Sequence, residues 1–157
     1  MPYFRVLPIF PENPKNPARC YMSKGLIEIN KYRFDQLGEA TQEYVINHEL
    51  GHYNNQSYNE VKADEYALSQ MALKKPYSLR NYLESVREVS YNNTERVNQA
   101  AKDVLTIAAN QGSSKAKSLL KTIGAASADG TNNYKYIVLF GIIVSMAFLI
   151  LIYKKYG

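Results

Sequence analysis

Cysteine and histidine are scarce in this chain, which contains one cysteine and two histidines in 157 residues. The lone Cys20 excludes an intrachain disulfide, and a single thiol is too few for a metal cluster built on cysteines. The start of the chain also lacks a continuous apolar stretch, because prolines stand at positions 8, 11, 14 and 17. No cleavable signal peptide is predicted, so we expect the folded part to remain in the compartment where it is made.

A strong excess of one charge is also absent, although the formal net charge is +5. Lysine and arginine are scattered, and their densest group comprises Lys115, Lys117 and Lys121. This group precedes an apolar C-terminal segment and suits lipid headgroups better than a groove in DNA, so no nucleic-acid partner is predicted. Hydrophobic residues at 46% and charged residues at 21% exclude a disordered chain and predict one folded unit with a single core.

The C-terminal segment is a long apolar run. No charged residue occurs from 137 to 152, and Tyr136 and Tyr153 extend the run at its two ends. Tyrosine and lysine flank it on both sides, as they do at the two interfaces of a bilayer. The run therefore predicts one transmembrane helix that holds a cytoplasmic domain to the membrane lipid, and a buried core helix is the alternative.

Short β-type stretches open the chain, and helical periodicity follows them. Three stretches carry the β-type pattern and predict a small antiparallel sheet: Tyr3 to Ile9, Arg19 to Met22 and Leu26 to Asn30. Helical spacing from about Glu39 to Asn54 predicts a first helix. Ser57 followed by Glu60 is typical of a capping box, which would open a second helix. Two further apolar stripes predict helices that pack on the core.

Both histidines fall in the segment His48-Glu49-Leu50-Gly51-His52, which has the HExxH form. On a helix, the i, i+4 spacing sets the two imidazoles on one face, near enough to share a zinc ion. The carboxylate of Glu49 would project beside this ion. There it can take a proton from zinc-activated water and pass it to a leaving amine, so peptide hydrolysis is the predicted reaction.

A catalytic zinc ion usually has a third protein donor, and Glu60 and Asp64 share one face of the second predicted helix. We predict Glu60 as the third ligand because it lies nearer the turn. We predict that Asp64 orients a ligating histidine through its second nitrogen, although the two roles could be reversed. In the alternative, Glu60 only completes the capping box with Ser57, and Asp64 is a solvated surface carboxylate.

Two features of the predicted site stay open. The group that stabilises the developing oxyanion could be any of four residues: Tyr53, Tyr58, Tyr66 and Arg80. The strand from Leu26 to Asn30 either offers its edge to an extended peptide or covers the core.

The two motifs together resemble those of the gluzincin metallopeptidases, with HExxH at His48 to His52 and an ExxAD element at Glu60 to Asp64. The pattern is most similar to the branch that contains the CAAX prenyl proteases and the heat-shock protease HtpX, followed by the ImmA/IrrE-type peptidases. The resemblance spans about Leu26 to Leu73. It implies that His48, His52 and Glu60 bind zinc, that Glu49 is the catalytic base, and that Asp64 supports the site.

The prediction for the whole chain is an α+β fold, with a small N-terminal antiparallel sheet on a mainly helical, zincin-like domain and a single C-terminal transmembrane helix. The domain would span residues 1–110, a flexible basic linker 111–133 and the membrane anchor 134–157. The predicted function is a membrane-anchored zinc endopeptidase that acts on peptides or proteins. The alternative is a structural or lytic component of a membrane-containing phage particle, where the chain belongs to a larger membrane assembly and cleaves peptidoglycan peptides or has no catalytic role.

Overall fold

The computed structural model describes residues 1–74 and 78–128. These residues form a mostly helical α+β fold, as predicted, in which three strands precede six α-helices. The strands are β1 Tyr3–Leu7, β2 Ala18–Tyr21 and β3 Leu26–Asn30, and the short 3-10 helix Met22–Lys24 joins the last two. The helices are α1 Lys31–Phe34, α2 Glu39–Asn55, α3 Glu60–Lys74, α4 Leu79–Val89, α5 Thr94–Asn110 and α6 Ser114–Ala128. Met1–Ala116 form one compact unit, and a second unit begins at Lys117 within α6.

The sheet is mixed, so the prediction of an antiparallel sheet was wrong for one of its strands. The strand order is β1-β3-β2, with β2 antiparallel to β3 and β1 parallel to it. The turn between β2 and β3 is short and ends at Gly25, whose φ of 55° lies in the left-handed region that favours glycine. The proline-rich connection after β1 does not form such a turn. β1 instead pairs with the far edge of β3, and parallel pairing is possible because a long connection separates these strands in sequence.

Strand β3 is central and covers the core. Leu26, Ile27 and Asn30 are buried, and neighbouring strands are hydrogen-bonded to both edges of β3. The proposal that β3 offers a free edge to a peptide was therefore wrong, because an added strand needs unpaired backbone groups. In the described sheet, the outer edges belong to β1 and β2.

A buried carboxylate connects the three strands. Glu28 lies opposite Arg5 on β1 and Arg19 on β2, and its side chain is 1% exposed. Arg5 donates to one oxygen of Glu28, and Arg19 Nε donates to the other at 2.7 Å. Arg19 also pairs with the exposed Glu12. A slip of one residue in either pairing would separate these charges, so the cluster favours the observed register.

Helix α2 packs against α3, α4 and β2, and its buried face is unusually polar. It buries Tyr44 and Val45 together with the side chains of His48, Glu49 and His52. Most of the apolar core comes from the next three helices, whose buried residues include Ala63, Ala67, Leu68, Met71, Tyr82, Leu83, Val86, Ala100, Ala101 and Val104. The apolar packing of α3, α4 and α5 therefore supports α2, whose own buried face carries ionisable side chains.

The predicted membrane segment cannot be compared with this fold. Within residues 1–74 and 78–128, no helix is long and apolar enough to cross a bilayer. The apolar run at 137–152 and the whole predicted anchor at 134–157 lie outside the described residues.

We expect Glu28→Gln to lower the free energy of unfolding by about 1–3 kcal/mol, because both arginines lose a charged acceptor at a buried position. Urea denaturation followed by circular dichroism measures this change. The matched control is Glu12→Gln, which also removes a carboxylate from Arg19 but at a solvated position, and it should leave stability nearly unchanged. Equal effects of the two substitutions would contradict a special role for the buried charge.

Candidate metal centre

Helices α2 and α3 meet through a tight turn that directs Glu60 towards the two histidines. α2 ends at Asn55 and is followed by its C-cap residue Gln56, whose φ of 47° lies in the left-handed region. The Ser57 backbone N–H donates to His52 O. The side chain of Asn59 then accepts a hydrogen bond from the Lys62 backbone N–H at 3.0 Å. Asn59 therefore acts as the cap of α3, and the capping-box alternative for Ser57 and Glu60 was wrong. The Glu60 carboxylate faces the histidines instead.

The donor atoms of His48, His52 and Glu60 converge. The two Nε2 atoms lie 3.1 Å apart, and the Glu60 oxygens lie 3.3 Å from His48 Nε2 and 3.5 Å from His52 Nε2. Both histidines are buried, whereas the side chain of Glu60 is 49% exposed. One atom from each of these residues lies within 4.8 Å of the others, and the three could hold a metal ion.

The second ring nitrogen of each histidine lies close to an oxygen atom. His52 Nδ1 lies 2.7 Å from Ser57 O, and a carbonyl oxygen can only accept. His48 Nδ1 is buried and lies 2.9 Å from Asp64 Oδ1, close enough for an ion pair, although the two atoms are not aligned for a hydrogen bond. Protons on both Nδ1 atoms leave the two Nε2 lone pairs directed at each other and at Glu60. Such an arrangement repels itself unless a cation or protons lie between the three groups.

The pKa values of the three converging side chains are shifted in the directions that favour positive charge on the histidines and negative charge on the glutamate. Burial alone would lower the pKa of His48, but the carboxylates of Asp64 and Glu60 raise it to about 9. Burial also opposes the charged form of His52, yet Glu60 raises its pKa. The pKa of Glu60 lies below its usual range because His48 and His52 donate to its carboxylate. Protons thus bind where a cation would otherwise balance the carboxylate.

Asp64 of α3 is buried and accepts hydrogen bonds from side chains of two other helices, α2 and α5. One of these side chains was not predicted from the sequence. Asp64 accepts a hydrogen bond from Tyr44 OH of α2. Arg96, near the start of α5, donates to both Asp64 oxygens at 2.8 and 2.7 Å and lies 2.9 Å from Glu60 Oε2. The surface-carboxylate alternative for Asp64 was therefore wrong. The one signal in the sequence was general: two neighbouring acidic residues, Glu60 and Asp64, need a positive partner. No motif or spacing identified Arg96 as that partner.

Glu49 differs from the other acidic groups of the centre in its partners within the described part of the chain. Its residue is 8% exposed, and none of the described residues donates a hydrogen bond to its carboxylate. Burial raises the pKa of Glu49, although the two histidines oppose this shift. Burial and the charge of the Glu49 carboxylate together raise the pKa of Cys20, on β2, to about 11.

Among the four candidate oxyanion stabilisers, Tyr58 lies beside one of the two histidines of the centre. Its ring centroid lies 6.3 Å from that of His52, and it is 72% exposed. Tyr66 OH accepts a hydrogen bond from Asn54, and Arg80 pairs with Glu84 on its own helix. The ring of Tyr53 packs beside Gly25.

The close approach of α2 and α3 depends on two small residues. A Cβ atom built on Gly51 would lie 3.0 Å from Ala63 Cα and 3.1 Å from both Ala63 O and Tyr66 Cβ. These distances are shorter than ordinary carbon contacts, and two of the three neighbours are backbone atoms that cannot move alone. Gly51 and Ala63 therefore allow the helices to pack closely enough for Glu60 to reach both histidines.

Fold and site together define a small α+β protein with a centre of two histidines and one glutamate that could hold a metal ion. No protein-family model, no curated protein and no solved structure matches this chain.

We expect Gly51→Val to lower the free energy of unfolding by about 1–3 kcal/mol, because the added atoms must push α3 away from α2. Chemical denaturation of the metal-free protein measures the change. Gly38→Ser is the control, since a Cβ at Gly38 meets nothing within 4 Å and serine is a favourable cap at that helix start. Wild-type stability in the valine variant would contradict the close-packing role of Gly51.

Proposed function

We propose that this chain is a zinc-dependent peptidase of the gluzincin type, in which His48, His52 and Glu60 hold the zinc ion and Glu49 is the general base. The observation that carries the proposal is the convergence of two imidazole Nε2 atoms and one carboxylate beside a buried glutamate that has no hydrogen-bond donor among the described residues.

The distances between the donor atoms support zinc as the ion. Two zinc–nitrogen bonds of about 2.05 Å at the tetrahedral angle place their nitrogens about 3.3 Å apart. The separation of the two Nε2 atoms is 3.1 Å, and that of His48 Nε2 and Glu60 Oε2 is 3.3 Å. Two imidazoles and a carboxylate form a set of three protein donors typical of catalytic zinc, whereas calcium and magnesium favour oxygen donors alone.

The residues around the donors supply the rest of the chemistry. When bound, zinc lowers the pKa of a coordinated water to about 7. Glu49 takes a proton from the attacking water and delivers it to the leaving amine. The Ser57 carbonyl holds the His52 ring by a hydrogen bond at Nδ1, and the Asp64 carboxylate lies 2.9 Å from His48 Nδ1, where its charge favours a proton on that nitrogen. The hydroxyl of Tyr58 is the donor we assign to the developing oxyanion.

The substrate we propose is an extended segment of a peptide or protein. Strand β2 forms one outer edge of the sheet and packs against α2, the helix that carries Glu49. A peptide that pairs with this edge by backbone hydrogen bonds would pass the general base. We further propose that residues 134–157 anchor the domain on the cytoplasmic side of a membrane, so the substrates would lie near a lipid surface.

We expect purified protein to bind one zinc ion per chain and Glu60→Gln to lose most of this binding, because an amide is a neutral and weaker donor than a carboxylate. Elemental analysis after dialysis against a weak chelator measures the stoichiometry. Glu65→Gln is the matched control: it removes an exposed carboxylate from the same helix and should keep the zinc. Full zinc retention in Glu60→Gln, or loss of zinc from both variants, would reject Glu60 as the third ligand.

We expect Glu49→Gln to keep the zinc but to lower peptide hydrolysis by at least about 100-fold, since the amide cannot accept the proton from water. Cleavage of casein and of purified peptidoglycan, each assayed with wild-type and variant protein, measures the activity and separates a general peptidase from a lytic one. Wild-type activity in Glu49→Gln would contradict the base assignment. A zinc-loaded wild-type protein that cleaves neither these substrates nor a library of extended peptides would favour a structural role.

A further inference from the structure

We infer that Arg96 is a positioning residue of this centre, which presents Glu60 to the zinc ion and holds Asp64 against His48. The inference rests on the proposed function and adds to it a residue from a third helix, outside both sequence motifs.

The contacts of Arg96 give the two acidic residues of α3 different roles. Both oxygens of Asp64 accept from the guanidinium group, whereas only one oxygen of Glu60 contacts it. The Asp64 side chain is 2% exposed and also accepts a hydrogen bond from Tyr44 OH, so each of its oxygens already has at least one donor. Glu60 retains an oxygen that arginine does not contact, and this oxygen lies 3.5 Å from His52 Nε2. Arg96 therefore favours Glu60 over Asp64 as the third donor.

Charge balance supports the same role. Glu49, Glu60 and Asp64 place three carboxylates around the histidines, and Arg96 is the arginine that contacts two of them. One arginine and one divalent cation together balance three carboxylates. Without the arginine, the like charges of Glu60 and Asp64 would repel each other in a partly buried place, where water screens them poorly.

The backbone of Arg96 is itself held in place. The Asn93 side chain caps α5 by accepting from the Arg96 backbone N–H at 3.0 Å. The preceding turn contains Tyr91 and Asn92, with φ of 53° and 59°, a conformation that non-glycine residues seldom adopt. Tyr91 OH donates to Lys15 O at 2.8 Å, which ties this turn to the loop between β1 and β2. The start of α5, and with it Arg96, is thus fixed at both the cap and the turn.

Arg96 acts through its neighbours and not on the substrate. Each of its three guanidinium nitrogens lies against a carboxylate oxygen of Asp64 or Glu60, so the group is committed to orienting these two side chains. Its loss should therefore appear first in metal binding and in the geometry of the bound ion.

The test compares Arg96→Met, Arg96→Lys and the control Arg87→Met, which removes an exposed arginine from α4. Zinc affinity is measured by competition with a chromophoric chelator, and the visible spectrum of the cobalt-substituted protein reports the geometry of the site. We expect Arg96→Met to bind zinc about 10–100-fold more weakly and to change the cobalt spectrum, as is usual when a group that orients a metal ligand is lost. Arg96→Lys should bind with intermediate affinity, because one ammonium group cannot span both carboxylates. Arg87→Met should match the wild type.

The measurements distinguish failure of the proposed function from failure of the role of Arg96. If the wild-type chain binds no zinc, the proposed function is rejected and this inference with it. If the wild type binds zinc and a folded Arg96→Met protein has the same affinity and cobalt spectrum, only the role of Arg96 is rejected. Circular dichroism and a thermal melt of the metal-free proteins establish folding. Should Arg96→Met not fold, Arg96→Lys decides, and wild-type affinity and spectrum in that variant would reject the inference.

Discussion

The buried carboxylate of Asp64 is the interaction on which the centre depends. It contacts Tyr44 and His48 from α2 and Arg96 from α5, while Asp64 itself belongs to α3. Burying a carboxylate is costly unless it is paired and hydrogen-bonded, and here each of its oxygens accepts from a fixed donor. The need to satisfy this one group therefore holds three helices in a single arrangement. The same arrangement orients the His48 ring.

The buried face of α2 combines polar chemistry with close packing. His48, Glu49 and His52 occupy positions that an ordinary helix would give to apolar side chains, so α2 contributes less apolar burial than its length allows. Apolar residues of α3, α4 and α5 supply the packing that α2 lacks. Gly51 lets α3 approach α2 closely, and this proximity brings Glu60 to the histidines. Thus α3, α4 and α5 supply most of the apolar burial, and α2 supplies most of the ionisable side chains of the centre.

Several features of the site could be predicted because they depend on spacing within one helix. The i, i+4 relation placed His48 and His52 on one face, and the structure brings both to Glu60. Features that depend on distant pairing were predicted less well. The direction of β1 was wrong because nothing local in a strand distinguishes a parallel from an antiparallel partner. The Ser57 capping box was wrong because Asn59, two residues later, offers an equally suitable side chain at the start of α3.

The sequence by itself determined the helical periodicity, the HExxH spacing and the tight connection that folds α3 back on α2, since each depends on residues a few positions apart. Only the tertiary structure decided that β3 is the central strand, that Asp64 is buried, and that Arg96 joins the centre. The physical reason is that these features satisfy charges and backbone groups across long separations in the chain. Several arginines could have balanced the acidic pair, and the packing of α5 on α3 selected one of them.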